Sequence, residues 1–106
     1  MLPKSRRIPR KLFKPLLASG RYFNSEHFSL RVGSVENEAR LAVSVSKKVS
    51  PKAVVRNKVR RRVYSATDDL IPHLSGRLFL LIAKPKAQNI KGQNLKDELV
   101  ELLKKG

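Results

Sequence analysis

From Lys47 to Thr67 the chain carries eight cationic side chains, Lys47, Lys48, Lys52, Arg56, Lys58, Arg60, Arg61 and Arg62, and no acid. Among them Val55, Val59, Val63, Ala66 and Leu70 recur at spacings of four, four, three and four, which is the period of one helix face. An apolar stripe backed by a purely cationic face constrains the fold more than any other feature of the chain. The stripe has to be buried against a second layer, while the charged face has to meet water or a ligand. Ser50 suits the N-cap and Pro51 the first helical position. Pro72 ends the pattern, so the spacing predicts a helix over about residues 51–70.

This helix is poorly tuned for its own stability. Like charges four apart, such as Arg56 and Arg60, cost a few tenths of a kcal/mol each. Cations fill its first half and Asp68-Asp69 lie near its end. That ordering opposes the helix dipole, at roughly 0.3–1 kcal/mol per exposed end charge. A polyanion lying on the face accounts for the choice. Arg56 and Arg60 fall on one line of the helix, and Asn57, Arg61 and Tyr64 on the next. Guanidinium forks pair with phosphate oxygens, and an Asn amide can bond a base edge or a 2′-hydroxyl.

The remaining segments supply the second layer. Residues 1–7 read as a flexible basic arm, followed by a short helix that ends at Gly20. Its apolar face is Leu12, Phe13, Leu16 and Leu17, and Pro15 clashes with the carbonyl of Lys11 and kinks it. Residues 22–33 read as one extended segment, with Phe28, Leu30 and Val32 alternating with polar neighbours. Gly33–Asn37 reads as a turn. Leu41, Val43 and Val45 form a second strand, expected to pair with the first as a hairpin, with Ser44 and Ser46 sharing its other side. Leu78–Ala83 is an unbroken apolar run, the pattern of a strand covered on both faces. Residues 84–92 read as a loop, and Asn94 as the cap of a last helix carrying Leu95, Leu99, Leu102 and Leu103. The whole, 1–106, reads as a single two-layer α+β domain.

Across 106 residues, 24 Lys and Arg stand against 8 Asp and Glu, a formal charge of +16. Such a chain repels itself unless a polyanion compensates. There is no cysteine, hence no disulfide and no thiolate metal site. No apolar run of signal-peptide or membrane-spanning length is present, so a cytoplasmic location is expected, with no membrane partner. His27 and His73 are the only histidines, and neither has a sequence neighbour at metal-ligand spacing. No catalytic or metal-binding residue is assigned, and a stand-alone protein nuclease is disfavoured.

The segment Ser44-Val-Ser-Lys-Lys-Val-Ser-Pro-Lys-Ala-Val-Val-Arg-Asn-Lys-Val-Arg-Arg-Arg-Val63 resembles the bacterial ribonuclease P protein subunits. These carry a strand-end Ser-Val-Ser-Lys-Lys followed by an Ala-Val-x-Arg-Asn-Arg basic helix. Leu2-Pro3-Lys4, the Phe13-x-x-Leu16-Leu17-x-x-Gly20 pattern and Ala83-Lys84-Pro85 are similar too. The resemblance implies an α-β-β-β-α-β-α sandwich, ribosomal protein S5 domain 2-like. Its mixed four-stranded sheet would have a left-handed βαβ crossover, against the usual hand. It implies a subunit that assists 5′-end maturation of tRNA, the catalysis and its Mg²⁺ belonging to a large RNA. Its partners would be that RNA and precursor tRNA, with no obligate protein partner and no cofactor on the protein itself. The catalytic RNA would be bound by Lys47, Lys48, Lys52, Arg56, Asn57, Lys58, Arg60 and Arg61.

A cleft of Phe13, Leu17, Arg31, Ser44 and Ser46 would take the single-stranded 5′ leader. Leu17 and Arg31 stand where the family often has aromatics, so leader binding here is expected to lean more on phosphate attraction than on base stacking. Lys58 replaces the second Arg of the signature, keeping the charge but not the fork. A structural RNA-binding protein with no enzyme context fits composition and charge equally well, and only the Ser-Lys-Lys and Arg-Asn pairing argues against it. A membrane-surface or DNA-compacting protein is expected to show aromatic anchors or an extended charged tail.

Overall fold

A computed structural model describes residues 21–35, 39–74 and 76–105. The basic arm, the first helix with Pro15, and Phe13 and Leu17 lie outside the described residues. Four strands form one sheet: β1 (Arg21–Asn24), β2 (Phe28–Val35), β3 (Arg40–Ser44) and β4 (Arg77–Ala83). Two helices, α1 (Ala53–Thr67) and α2 (Gly92–Lys105), complete the described elements with short 3-10 turns at Ile71–His73 and Pro85–Asn89.

The sheet order is β1-β2-β4-β3. β1 with β2 and β2 with β4 are antiparallel, and β3 with β4 is parallel. This corrects the sequence reading twice. Residues 22–33 are a hairpin of two strands, closed by Ser25 N–H donating to the Phe28 carbonyl at 2.8 Å. Phe23 and Phe28 are five apart, an odd spacing that a single strand would send to opposite faces; with the turn, both join the same core. The second correction is that β2 and β3 do not pair. β4, the most apolar strand, takes the central place between them, buried on both faces as such runs are. Phe79, Leu81 and Ala83 join the main core, while Leu78 and Leu80 form a second buried cluster with Ala42.

The main core lies between the sheet and the two helices, which also touch each other. Val59 and Val63 of α1 and Leu95, Leu99, Leu102 and Leu103 of α2 are buried. Tyr64, assigned by spacing to the cationic face, is also buried. The apolar face is wider than the valine stripe and includes Tyr64 and Thr67, whose hydroxyl donates to the Val63 carbonyl at 2.9 Å.

Both helix starts differ from expectation. The N-cap of α1 is Lys52, in extended geometry and without a side-chain cap. Ser50 Oγ instead accepts the Lys52 N–H at 3.2 Å, a local turn that delays the helix by two residues. α2 begins at Gly92, whose φ of 66° suits glycine, so Asn94 lies inside the first turn instead of capping it.

Candidate nucleic-acid interface

The cationic surface is built by α1 and the turn before it. β3 ends at Ser44, so Ser46 is not on the strand as expected. It opens a turn in which its carbonyl accepts Val49 N–H at 3.0 Å and its Oγ accepts Lys48 N–H at 3.2 Å. That turn leaves Lys47 and Lys48 exposed, with Lys52 exposed just beyond.

On the helix, Arg56 is half-buried and spends Nη1 on the Ser50 carbonyl at 3.0 Å. This fixes the guanidinium beside the helix start. Arg60 Nη1 donates to Asn57 Oδ1 at 2.7 Å, which orients both groups one helical turn apart. Lys58 and Arg61 project into solvent. Arg62 reaches the Gln88 carbonyl at 3.1 Å, while Gln88 Nε2 donates to the Val49 carbonyl at 3.1 Å. Those two bonds tie the helix and the turn before it to the segment after β4. A groove of about 500 Å³ runs between α1 and α2, with Arg61, Arg62, Ser65 and Lys96 in its walls. The first turn of α1 has no acid, so its unpaired N–H groups and the cations point their positive charge the same way.

A second polar surface lies on the sheet face away from the two described helices. Register sets Tyr22 beside Arg31, Arg31 beside Leu80 and Leu80 beside Ala42. The next row is Asn24, Ser29, Ile82 and Ser44. The Arg31 guanidinium carbon lies 4.3 Å from the centroid of the Tyr22 ring. Tyr22 donates its hydroxyl to Asn24 Oδ1 at 2.7 Å, Ser29 donates to the same oxygen at 2.9 Å, and the two hydroxyls are 3.2 Å apart. The hydrogen bonds to Ser29 and Asn24, with the nearby charges of Lys84 and Arg31, outweigh desolvation and hold the Tyr22 hydroxyl below its ordinary pKa.

A model of the family described as Ribonuclease P matches residues 2–106. The chain belongs to the ribonuclease P protein family. It is similar to the ribonuclease P protein component of a Nostoc species, 34% identical with 96% of this chain and 91% of that protein covered. The component of Xanthomonas campestris is 30% identical, with 97% and 70% covered. Among solved structures, the Staphylococcus aureus ribonuclease P protein superposes with a TM-score of 0.82 at 25% identity, covering 95% of this chain and 94% of that one. The Thermotoga maritima protein does so with a TM-score of 0.85 at 22% identity, covering 94% and 96%, a likeness of fold. The mixed four-stranded α+β architecture is thus that of ribonuclease P proteins.

In this ribonuclease P protein the residues singled out by sequence fall into two groups. Lys47, Lys48, Lys52, Arg56, Asn57, Lys58, Arg60 and Arg61 gather on α1 and the turn before it. Arg31 and Ser44 share the sheet face away from the two described helices, two strands apart and one row offset. Ser46 stands with the first group. Sequence reasoning missed Tyr22 and Asn24, which only the β1–β2 pairing brings beside Arg31, and Ser29, which lies two residues from Arg31 on the same face of β2.

It also missed the long-range partner of His27. Glu98 Oε1 is 2.7 Å from His27 Nδ1, and Oε2 accepts Ser25 Oγ at 2.5 Å and His27 N–H at 2.9 Å. Burial alone would raise the Glu98 pKa, but the bonds from Ser25 and His27 outweigh it and hold it below the ordinary value. Glu26 stands close enough that its carboxylate, His27 and Glu98 bring ligand-type atoms within 4.8 Å. Both Glu98 oxygens are already engaged in joining the β1–β2 turn to α2, so the arrangement works as a structural clamp. His73 is exposed at the 3-10 turn.

Proposed function

We propose that this chain is the protein subunit of a cytoplasmic ribonuclease P that removes the 5′ leader of precursor tRNA. The turn 46–49 and α1 hold the catalytic RNA through Lys47, Lys48, Lys52, Arg56, Asn57, Lys58, Arg60 and Arg61. The sheet face carrying Arg31 and Ser44, with Phe13 and Leu17 from the segment before it, takes the single-stranded leader. The RNA supplies the active site and its Mg²⁺; the protein binds no metal of its own and is inert alone. No second protein is required. The observation carrying this reading is the acid-free cationic surface of α1 and its preceding turn, on a chain of this family. Contacts of this kind read phosphate and shape, so they position an RNA without reading its sequence. Each phosphate neutralised also releases counterions, which makes the affinity salt-dependent.

Reconstitution tests it. The ribonuclease P RNA of the same genome is mixed with precursor tRNA at low Mg²⁺, with and without the protein. Cleavage at the mature 5′ end that needs both RNA and protein, with none from the protein alone, is the expected result. Tight RNA binding that never enhances cleavage would favour a purely structural RNA-binding role.

A further inference from the structure

We propose that Tyr22, stacked on Arg31 and pinned by Asn24 and Ser29, is a stacking platform that seats one nucleobase of single-stranded RNA at the β1 edge of the sheet. The proposal rests on the reading that this sheet face takes the leader, and it names the side chain that gives the face its base contact.

Tyr22 is 48% exposed, one of two large hydrophobic side chains so exposed among the described residues. An aromatic ring left in water on a small domain contributes little to folding. This ring is nevertheless held in one orientation. Its hydroxyl is bonded to Asn24 and lies against Ser29, and those two are bonded to each other. The Arg31 guanidinium covers the ring at 4.3 Å, so a cation backs the π-system. The Arg31 Nε is buried and has no hydrogen-bond partner among the described residues, so the stack on Tyr22 is not supplemented by a bond at that atom. Lys84, whose Nζ donates to the Ser25 carbonyl at 2.6 Å, adds a second cation near the same strand end.

A rigid ring with two χ angles pays little ordering entropy when a ligand stacks on it. Every base has a π-face, so the platform tolerates sequence. The surrounding cations attract the phosphates on either side of the seated base. Sequence spacing places Arg31 where a family aromatic often stands; the hairpin register returns an aromatic to that neighbourhood from the adjacent strand. Leader binding here therefore combines stacking with charge, and is not charge alone.

The test uses the holoenzyme assembled with the ribonuclease P RNA of the same genome. Precursor tRNAs carry 2-aminopurine at successive leader positions, and mature tRNA is the control. With the unchanged protein, fluorescence should be quenched at one leader position more than at its neighbours. Tyr22→Leu should remove that quench and weaken precursor binding about 5- to 150-fold, the equivalent of removing one base stack. Mature tRNA should bind as before. Tyr22→Trp should restore both readouts. Because the side chain is exposed, Leu leaves the core untouched, and a melting curve verifies this. If the leader adds affinity but Tyr22→Leu changes neither affinity nor quench, the platform is overturned while the leader reading stands. If the leader adds no affinity even with the unchanged protein, the leader reading itself fails and the platform falls with it.

Discussion

Replacing Glu98 by Ala should destabilise the domain far more than the loss of a surface carboxylate does. One carboxylate on α2 accepts three hydrogen bonds from the β1–β2 turn, from Ser25 Oγ, the His27 N–H and His27 Nδ1. The two side chains of the pair are only 16% and 15% exposed. A hydrogen bond to a charged group contributes about 1.5–3 kcal/mol. The three share one acceptor group and remain in reach of water, so they do not add, and a loss of about 2–3 kcal/mol in total is the reasonable figure. For a domain near this size that lowers the melting temperature by at least about 8 °C. Glu98→Gln keeps the shape and removes the charge, so it should fall between the two.

The pH dependence follows from the sign of the shift. The folded Glu98 pKa lies below its ordinary 4.5. Its contribution is therefore complete above the ordinary value and is lost as pH falls through the folded one. Melting curves by circular dichroism at fixed salt, taken from neutral pH into acid, should show the gap between the unchanged protein and Glu98→Gln full near neutrality and closing at low pH. A gap near zero at neutral pH, or one that stays constant into acid, would refute the clamp. Because the clamped turn directly follows Asn24, the same substitution should also weaken leader binding more than binding of the catalytic RNA.

Neutralising Lys58 and Arg61 together as Gln should leave melting unchanged, since both are exposed. The logarithmic salt slope of RNA binding should drop by about 0.7–0.9 for each phosphate that is no longer neutralised; an unchanged slope would remove these residues from the interface. Arg56→Lys keeps the charge but not the fork that reaches the Ser50 carbonyl, so RNA affinity should fall although net charge does not, as a filter-binding titration would register. Leu99→Ala, at a fully buried site, should cost about 2–5 kcal/mol in denaturant unfolding, against almost nothing for Lys105→Ala on the exposed end of the same helix.

Much of the fold could be read because its signals are local. The stripe through Val59 and Val63, the leucines of α2 and the unbroken run Leu78–Ala83 each carry a period or a composition that only one element type satisfies. What failed was pairing. Alternation tells which way a side chain points but not which strand lies beside it. Two strands near in sequence invite a hairpin, yet the strand with most apolar surface gains more from the central position, and β4 displaces the expected partner. The odd interval between Phe23 and Phe28 was the available sign that residues 22–33 contain a turn. The N-terminal boundary of α1 shifted for a different reason: Ser50 can bond two residues ahead as readily as cap a helix, and pattern does not separate the alternatives.

The candidate site divides along the same line. Charge is visible in composition, so the cationic group on α1 could be named residue by residue before any geometry was known. Groups that work through a neighbour could not. Arg31 in isolation reads as one more cation on a basic chain. Opposite Tyr22 it becomes one side of a stack, and Asn24 and Ser29 become the bonds that hold the ring. That identity is carried by four residue pairs of β1–β2 register, and a slip of one residue would turn Tyr22 to the core face and break all of it. The clamp of Glu98 on Ser25 and His27 sits at the hairpin turn, where register is set. Stability at that turn and the Tyr22–Arg31 stack on the strands beside it are therefore coupled through the same hairpin. Weakening the clamp loosens the register on which the stack depends, even though Glu98 directs its bonds to Ser25 and His27 and not to Tyr22 or Arg31.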